Sequence, residues 1–252
     1  MPTMELTAEP GWQVVDFISD LHLQASEPAT FNAWQQYMQT TPADAVIILG
    51  DLFEVWVGDD VLPERGFEYQ CAQVIRHTAA RVPVFFMHGN RDFLVSNGLT
   101  TGGTTTLLAD PTALTFNHQR WLLSHGDALC IDDTAYMAFR QQVRSTDWQQ
   151  TFLAKPLAER QAIARGLREQ SEARKKSGAE CADVDAPMAR QWLEKAQSAT
   201  LIHGHTHKPA THDLGNGLQR VVLSDWDTTA IPPRAEVLRL SSLGLQRIPV
   251  SP

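Results

Sequence analysis

Residues 45–51 read AVIILGD: five apolar residues in a row that empty directly into Gly50-Asp51. A short run without alternation is the mark of a strand buried on both faces. The same phrase recurs along the chain. Residues 12–19 (WQVVDFIS) lead into Asp20-Leu21-His22, and residues 82–87 (VPVFFM) into His88-Gly89-Asn90-Arg91-Asp92. Residues 120–123 then feed Ser124-His125-Gly126-Asp127, and residues 199–202 feed His203-Gly204-His205-Thr206-His207. Residues 28–40 and 66–80 have helical character; in the first, Pro28 stands near the start and Phe31, Trp34 and Met38 lie along one face. Strands alternating with helices predict a layered α/β domain. In open α/β sheets ligands gather beyond the carboxyl ends of the strands, so the five polar loops can converge on one place.

The flanks are less patterned. The first ten residues read as a loose polar lead-in. Residues 219–250 alternate like strands and are expected to close a sheet in antiparallel fashion. Between residues 132 and 178 strand signals stop and a helical pattern rich in Arg, Lys, Gln and Ala takes over, divided by Pro156. We therefore expect one domain over residues 12–250, with an inserted helical lid at 132–178.

Composition narrows the function classes. The 252 residues are 43% hydrophobic and 20% charged, as in ordinary globular proteins. A net charge of −8 provides no general basic field for wrapping nucleic acid. Cys71, Cys130 and Cys181 are odd in number and far apart, which fits reduced thiols better than disulfides. The chain start has no secretory-type apolar run, and no stretch approaches the ~20 apolar residues of a membrane span. A cytoplasmic protein is expected.

Taken singly, the loop residues have ordinary readings. Asp20 or Asp51 could be a cap or turn residue, and Asn90 a turn former. His203, His205 and His207, at alternate positions around a glycine, are harder to dismiss and read as metal ligands. The specificity lies in the ordered set: Asp-x-His, Gly-Asp, Gly-Asn-Arg-Asp, His-Gly-Asp and Gly-His-x-His, each after an expected strand.

That set resembles the calcineurin-like metallophosphoesterases. The resemblance implies a layered sandwich of mixed sheets flanked by helices, holding two divalent metals. It places one metal on Asp20, His22, Asp51 and His205 and the other on Asp51, Asn90, His125 and His203, with Asp51 bridging. A shell of hard oxygens and neutral nitrogens without thiolate favours Mn2+. Two such ions ~3.5–4 Å apart can clamp a phosphate and activate water. Asp51, Asn90 and Arg91 then form the catalytic group.

Arg91 departs from the general pattern, in which a histidine follows the asparagine. A guanidinium stays charged and is no useful proton donor, but its fork suits a phosphate. A leaving group that is itself a phosphate needs little protonation, so Arg91 points to a diphosphate bond. Residues 50–60 (GDLFEVWVGDD), 88–93 (HGNRDF), 125–139 (HGDALCIDDTAYMAF) and 203–209 (HGHTHKP) are similar to the branch of the family that cleaves a nucleotide-linked lipid in lipid A synthesis. That similarity implies water attack on the nucleotide-side phosphorus. It also implies substrate contacts from Asn90, Arg91, Asp133, Arg168, Ser171, Lys175 and His203. A lysine of that branch is replaced here by Gly178, and Lys175 or Lys176 is expected to substitute for it. The lid, with seven Lys/Arg against three Glu over residues 148–176, would house acyl chains on its apolar side. Its basic side would face an anionic membrane surface, making the protein peripheral to the bacterial inner membrane. Two other readings are a general phosphodiesterase acting on nucleotides, and a metal-free binding scaffold.

Overall fold

A computed structural model describes residues 3–100, 105–176 and 182–250. The apolar run at Ala45–Leu49 is strand β3, central in a six-stranded sheet and flanked by parallel β2 (Val14–Ile18) and β4 (Val84–Met87). After the short helix α3 (Asn97–Thr100), β5 (Thr105–Leu108) extends this sheet beside β4. On its other edge β11 (Glu236–Ser241) lies antiparallel to β2 and forms a hairpin with β12 (Gly244–Pro249).

Side chains alternate across a strand, so β2 and β3 supply two cores. Ile18, Val46 and Ile48 pack toward α1 (Pro28–Thr40) and α2 (Phe67–Ala79), with Trp34 and Met38 of α1 and Ile75 of α2. Val15, Phe17, Ile47 and Leu49 face the other way, into a core shared with a second sheet through Leu114, Leu123 and Ile202. That second sheet has the order β1-β6-β7-β8-β10-β9, where β1 is Met4–Thr7, β6 Thr112–Phe116, β7 Gln119–Ser124, β8 Thr200–His203, β9 Thr211–Gly215 and β10 Leu218–Val222. Its outer face, with Leu122 and Leu201, packs on Ala189 and Leu193 of α7 (Ala186–Ala196). The layers therefore run helices, sheet, sheet, helix.

Two expectations change. Residues 4–7 are not a loose lead-in: they pair parallel with β6, Met4 opposite Thr112 and Thr7 opposite Thr115. Met4 and Leu6 touch the inter-sheet core while Glu5 and Thr7 are exposed, and four residues are too few to announce that alternation. Residues 219–250 close the sheets antiparallel only in part, because β10 runs parallel to β8 and antiparallel to β9.

The 132–178 segment contains α4 (Thr134–Val143), α5 (Thr146–Leu153) and α6 (Leu157–Lys176), with Pro156 just ahead of the last. Ser145 caps α5 by accepting from Trp148 N. Arg160, counted above among the basic residues facing the membrane, is instead 1% exposed. Its guanidinium donates to the Val57 carbonyl and to Asp60, pinning α6 on the loop after β3. Among the described residues, no helix is long and apolar enough to cross a membrane.

Candidate active site

The loops after β2, β3, β4, β7 and β8 meet at one end of the sandwich. Backbone bonds lace them together: Asp20 N donates to Gly50 O (3.1 Å), His22 N to Asp51 O (3.1 Å) and Gly204 N to His125 O (3.0 Å). Asp92 adds a buried clamp. Its Oδ1 accepts from Gly89 N (2.8 Å) and its Oδ2 from Leu52 N (2.8 Å), joining the β3 and β4 loops. Burial, then the neighbouring Asp51 charge, pushes the Asp92 carboxyl up to about 7.

The approach is close enough to dictate residue size. A Cβ on Gly89 would stand 2.1 Å from Asp51 Oδ1, and one on Gly204 would stand 2.3 Å from Asp20 Oδ2. Asp20, His22, Asp51, His205 and His207 all have positive φ, between 48° and 67°. Non-glycine residues hold that conformation only where the surroundings over-determine it, and such strain collects at functional sites.

One group of side chains is Asp20, Asp51 and His125, and a second is Asp20, His22 and His207; in each the ligand atoms lie within 4.8 Å of one another. Asn90 Oδ1 sits between two imidazoles, 3.0 Å from His125 Nε2 and 2.8 Å from His205 Nδ1. His125 uses Nδ1–H on the Leu49 carbonyl (2.9 Å), so its Nε2 lone pair faces Asn90 Oδ1 and, at 3.7 Å, Asp51 Oδ1. Acceptor meets acceptor in this buried place unless a cation, or a proton on Nε2, stands between them. Asp20 Oδ1 is buried without a hydrogen bond. Cations resolve both problems, since they accept lone pairs from carboxylate, amide oxygen and neutral imidazole alike. The residues fit divalent metal ions.

The electrostatics show the same demand for positive charge. Burial alone would raise Asp20, but His207, His125 and His22 outweigh it and hold the carboxyl well below its usual range. Burial lowers His125 while Asp51, Asp20 and Asp127 overcome it, bringing the ring up to about 9. His205 goes the other way, down to about 4, through burial and then the His125 charge.

Arg91 N donates to Asp51 Oδ1 (2.8 Å), and its Nε is buried without a partner. His203, expected as a ligand and substrate contact, is the correction. It is the last residue of β8, its Nδ1 bonds the Gly204 carbonyl (2.9 Å), and its Nε2 faces Arg220 Nη1 at 3.4 Å. His207 stands in the cluster instead, 3.3 Å from both His22 Nε2 and Asp20 Oδ1. Asp133 lines the cleft and caps α4 by accepting from Tyr136 N at 3.0 Å. Arg168 reaches Glu54 (3.1 Å) and Gln24 (3.3 Å). The side chains of Ser171 and Lys175, like Cys181 and Gly178, lie outside the described residues.

Sequence reasoning passed over several participants. Asp127 accepts from Tyr136 Oη (2.6 Å) and Arg140 Nε (2.8 Å), and the Tyr136 ring stacks on His205, centroids 5.9 Å apart. Its signal was the His-Gly-Asp motif itself. Glu54 lies in the quoted stretch 50–60 and touches His22 and Arg91. Asp225 is bound by Arg234 (2.9 Å) and stands 3.8 Å from His207 Nδ1.

From this cluster a cleft of about 710 Å³ runs under the cap. One wall is apolar: Phe93, Phe139, Trp148, Phe152 and Leu167 line it, with Trp148 stacked on Phe152 at 4.7 Å. Asn90, Arg91, Asp133, Arg168, His205 and His207 line it as well.

The layered sheets and the carboxylate–imidazole cluster define a metal-dependent phosphoester hydrolase. The chain belongs to the calcineurin-like phosphoesterase family, whose profile matches residues 14–209. Within that family its relatives are the UDP-2,3-diacylglucosamine hydrolases. The one from Chromobacterium violaceum is 43% identical over 245 residues, covering 94% of this chain and 98% of that protein. Those from Cellvibrio japonicus and Ralstonia nicotianae are 45% and 42% identical, covering 83% and 94% of this chain and 90% and 92% of theirs.

Proposed function

We propose that the protein hydrolyses the diphosphate bond of UDP-2,3-diacylglucosamine to UMP and 2,3-diacylglucosamine 1-phosphate, a step of lipid A biosynthesis. The observation that carries this reading is a single cleft in which Asn90, Arg91 and His207, which touch the buried Asp20–Asp51–His125 cluster, face the aromatic wall of the cap. The relatives named for that substrate support it.

In this reading Asp20, His22, Asp51 and His207 hold one divalent ion, and Asp51, Asn90, His125 and His205 hold the other. Manganese suits that donor set. When bound, the ions supply Lewis-acid polarisation of a phosphoryl group and a stronger water nucleophile. Water attacks the uridine-side phosphorus. Arg91 neutralises phosphoryl charge with its guanidinium, whose buried Nε is left for an anion. No general acid is needed, because the leaving group is a phosphate. Asn90 orients the phosphate from the β4 loop, and Asp133 and Arg168, with Ser171 and Lys175, bind the glucosamine and its phosphate. The aromatic wall takes the acyl chains, and the exposed Arg165 faces anionic lipid at the cytoplasmic side of the inner membrane.

The test is incubation with UDP-2,3-diacylglucosamine, with and without Mn2+, followed by product analysis. UMP should appear only with metal. Absence of UMP with Mn2+ and other divalent ions, or equal turnover of a small phosphodiester, overturns the reading.

A further inference from the structure

Beyond Asp51 the loop after β3 keeps pairing with the loop after β2. Leu23 N donates to Leu52 O (2.9 Å) and Glu54 N to Leu23 O (3.1 Å), while Trp56 N donates to Arg91 O (3.0 Å). Glu54 is thereby fixed between the segment bearing His22 and the segment bearing Arg91. Its side chain is buried, 8% exposed as a residue. A carboxylate in that position is costly unless paired, and it has three partners. Oε2 is 3.2 Å from His22 Nδ1, a contact too bent for a full hydrogen bond. Oε1 is 3.5 Å from Arg91 Nη1 and 3.1 Å from Arg168 Nε.

Each contact has a chemical consequence. His22 turns Nε2 toward His207 and the cluster, so Nδ1 is the nitrogen at its back. A carboxylate behind a metal-binding imidazole fixes the tautomer and ring plane and raises the basicity of the ligating nitrogen. On the other oxygen, two guanidiniums that repel each other converge on one negative charge. One comes from the β4 loop and one from cap helix α6, and the convergence sets them side by side before any phosphate arrives. Three loops and the cap are tied at one atom group.

We propose that Glu54 is a positioning residue that pre-sets Arg91 and Arg168 as a pair for the two phosphates of the substrate and holds the His22 ring for metal. The arginine half rests on the diphosphate reading above; the His22 half does not.

The experiment uses the full chain with Glu54→Gln, which keeps shape and removes charge, and Glu54→Asp, which keeps charge and shortens reach. Metal-stripped proteins are titrated with Mn2+ by calorimetry. KM and kcat are measured on UDP-2,3-diacylglucosamine, alone and combined with Arg168→Gln. Glu54→Gln should weaken one of two Mn2+ sites about 10–100-fold and raise KM more than it lowers kcat. Adding Arg168→Gln to it should cost less than the product of the two separate losses, and Glu54→Asp should recover part of both effects. Wild-type Mn2+ affinity in Glu54→Gln overturns the His22 half. A loss in kcat at unchanged KM, multiplying independently with Arg168→Gln, overturns the arginine half. If the wild type does not cleave UDP-2,3-diacylglucosamine, the substrate reading and the arginine half fall together, while the Mn2+ titration still decides the His22 half. Melting temperatures guard against misfolding; should Glu54→Gln fail to fold, the Asp variant carries both comparisons.

Discussion

His203 Nε2 stands 3.4 Å from Arg220 Nη1, and Arg220 forks onto both carboxylate oxygens of Asp183 at 3.0 and 2.9 Å. His203 donates Nδ1–H to the Gly204 carbonyl, so its Nε2 is the acceptor that receives Arg220. Burial, with help from the Arg220 charge, brings the ring down to about 4, which keeps it neutral at physiological pH. His203 thus braces the turn from behind while His205 and His207 face the cluster. His203→Gln should retain close to wild-type manganese, whereas His207→Ala should lose about one ion per chain. Metal analysis after gel filtration checks both, and loss of an ion in His203→Gln would restore it to the ligand set.

Asp51 is the one carboxylate assigned to both ions, with Oδ1 2.8 Å from Arg91 N and 3.7 Å from His125 Nε2. Asp51→Ala should lower content at both sites and reduce kcat/KM by roughly a thousandfold or more, the scale of several kcal/mol of charge stabilisation. A variant that loses one ion and keeps the other would show that Asp51 does not bridge.

The three histidines of residues 203–207 show where sequence patterns stop informing. Apolar runs such as AVIIL announce buried strands because nothing else explains them, and the helix of residues 28–40 matches its expected bounds. The ordered loop motifs point to a shared cluster because they recur at strand ends. Alternate spacing made His203, His205 and His207 look equivalent. β8, however, ends at His203, and His205 and His207 sit at φ of 67° and 53°, so strand alternation no longer governs them. Strand β1 escaped notice because its partner is more than a hundred residues away in sequence. Glu54 escaped because a buried carboxylate's role depends on three partners that meet only in three dimensions.

The Arg220–Asp183 pair gives a pH test. Burial raises the Asp183 carboxyl, but the hydrogen bonds from Arg220 and Val184 N outweigh it and lower its pKa in the folded protein. A depressed folded-state pKa contributes stability above the unfolded value, and that contribution is lost as pH falls through the folded pKa. Asp183→Asn should therefore melt below wild type at pH 7, by about 1 kcal/mol given the partial exposure of the carboxylate. The gap should narrow as pH drops below the ordinary carboxylate range. A gap independent of pH would mean the substitution acts through packing.

Arg91 has a backbone role and a side-chain role that can be separated. Its N–H bonds Asp51 whatever the side chain, so Arg91→Met should keep metal content while raising KM for the diphosphate substrate about 10–100-fold, the cost of a lost charge-assisted phosphate contact. Arg91→His restores a titratable donor and should favour monoester or aryl phosphodiester substrates relative to Arg91→Met. Metal loss in either variant, measured beside steady-state kinetics, would make the side chain structural.

Arg160 decides whether the cap is a docked wall or a loose flap. Its guanidinium is spent on the Val57 and Lys155 carbonyls and on Asp60, and a Cβ on Gly58 would collide with it at 2.4 Å. Removing it strands two carbonyls and opens a hole between α6 and the β3 loop, a cost of about 2–3 kcal/mol. The metal loops are laced by backbone hydrogen bonds among themselves and held by Arg144, just after α4, and Arg160 takes no part in those bonds. Arg160→Met should accordingly show faster proteolysis within residues 145–176 and a higher KM for the acylated substrate, with little change in turnover of a small phosphodiester. If both substrates suffer equally, the cap is part of the metal site's own scaffold, and the division of labour between cluster and lid fails.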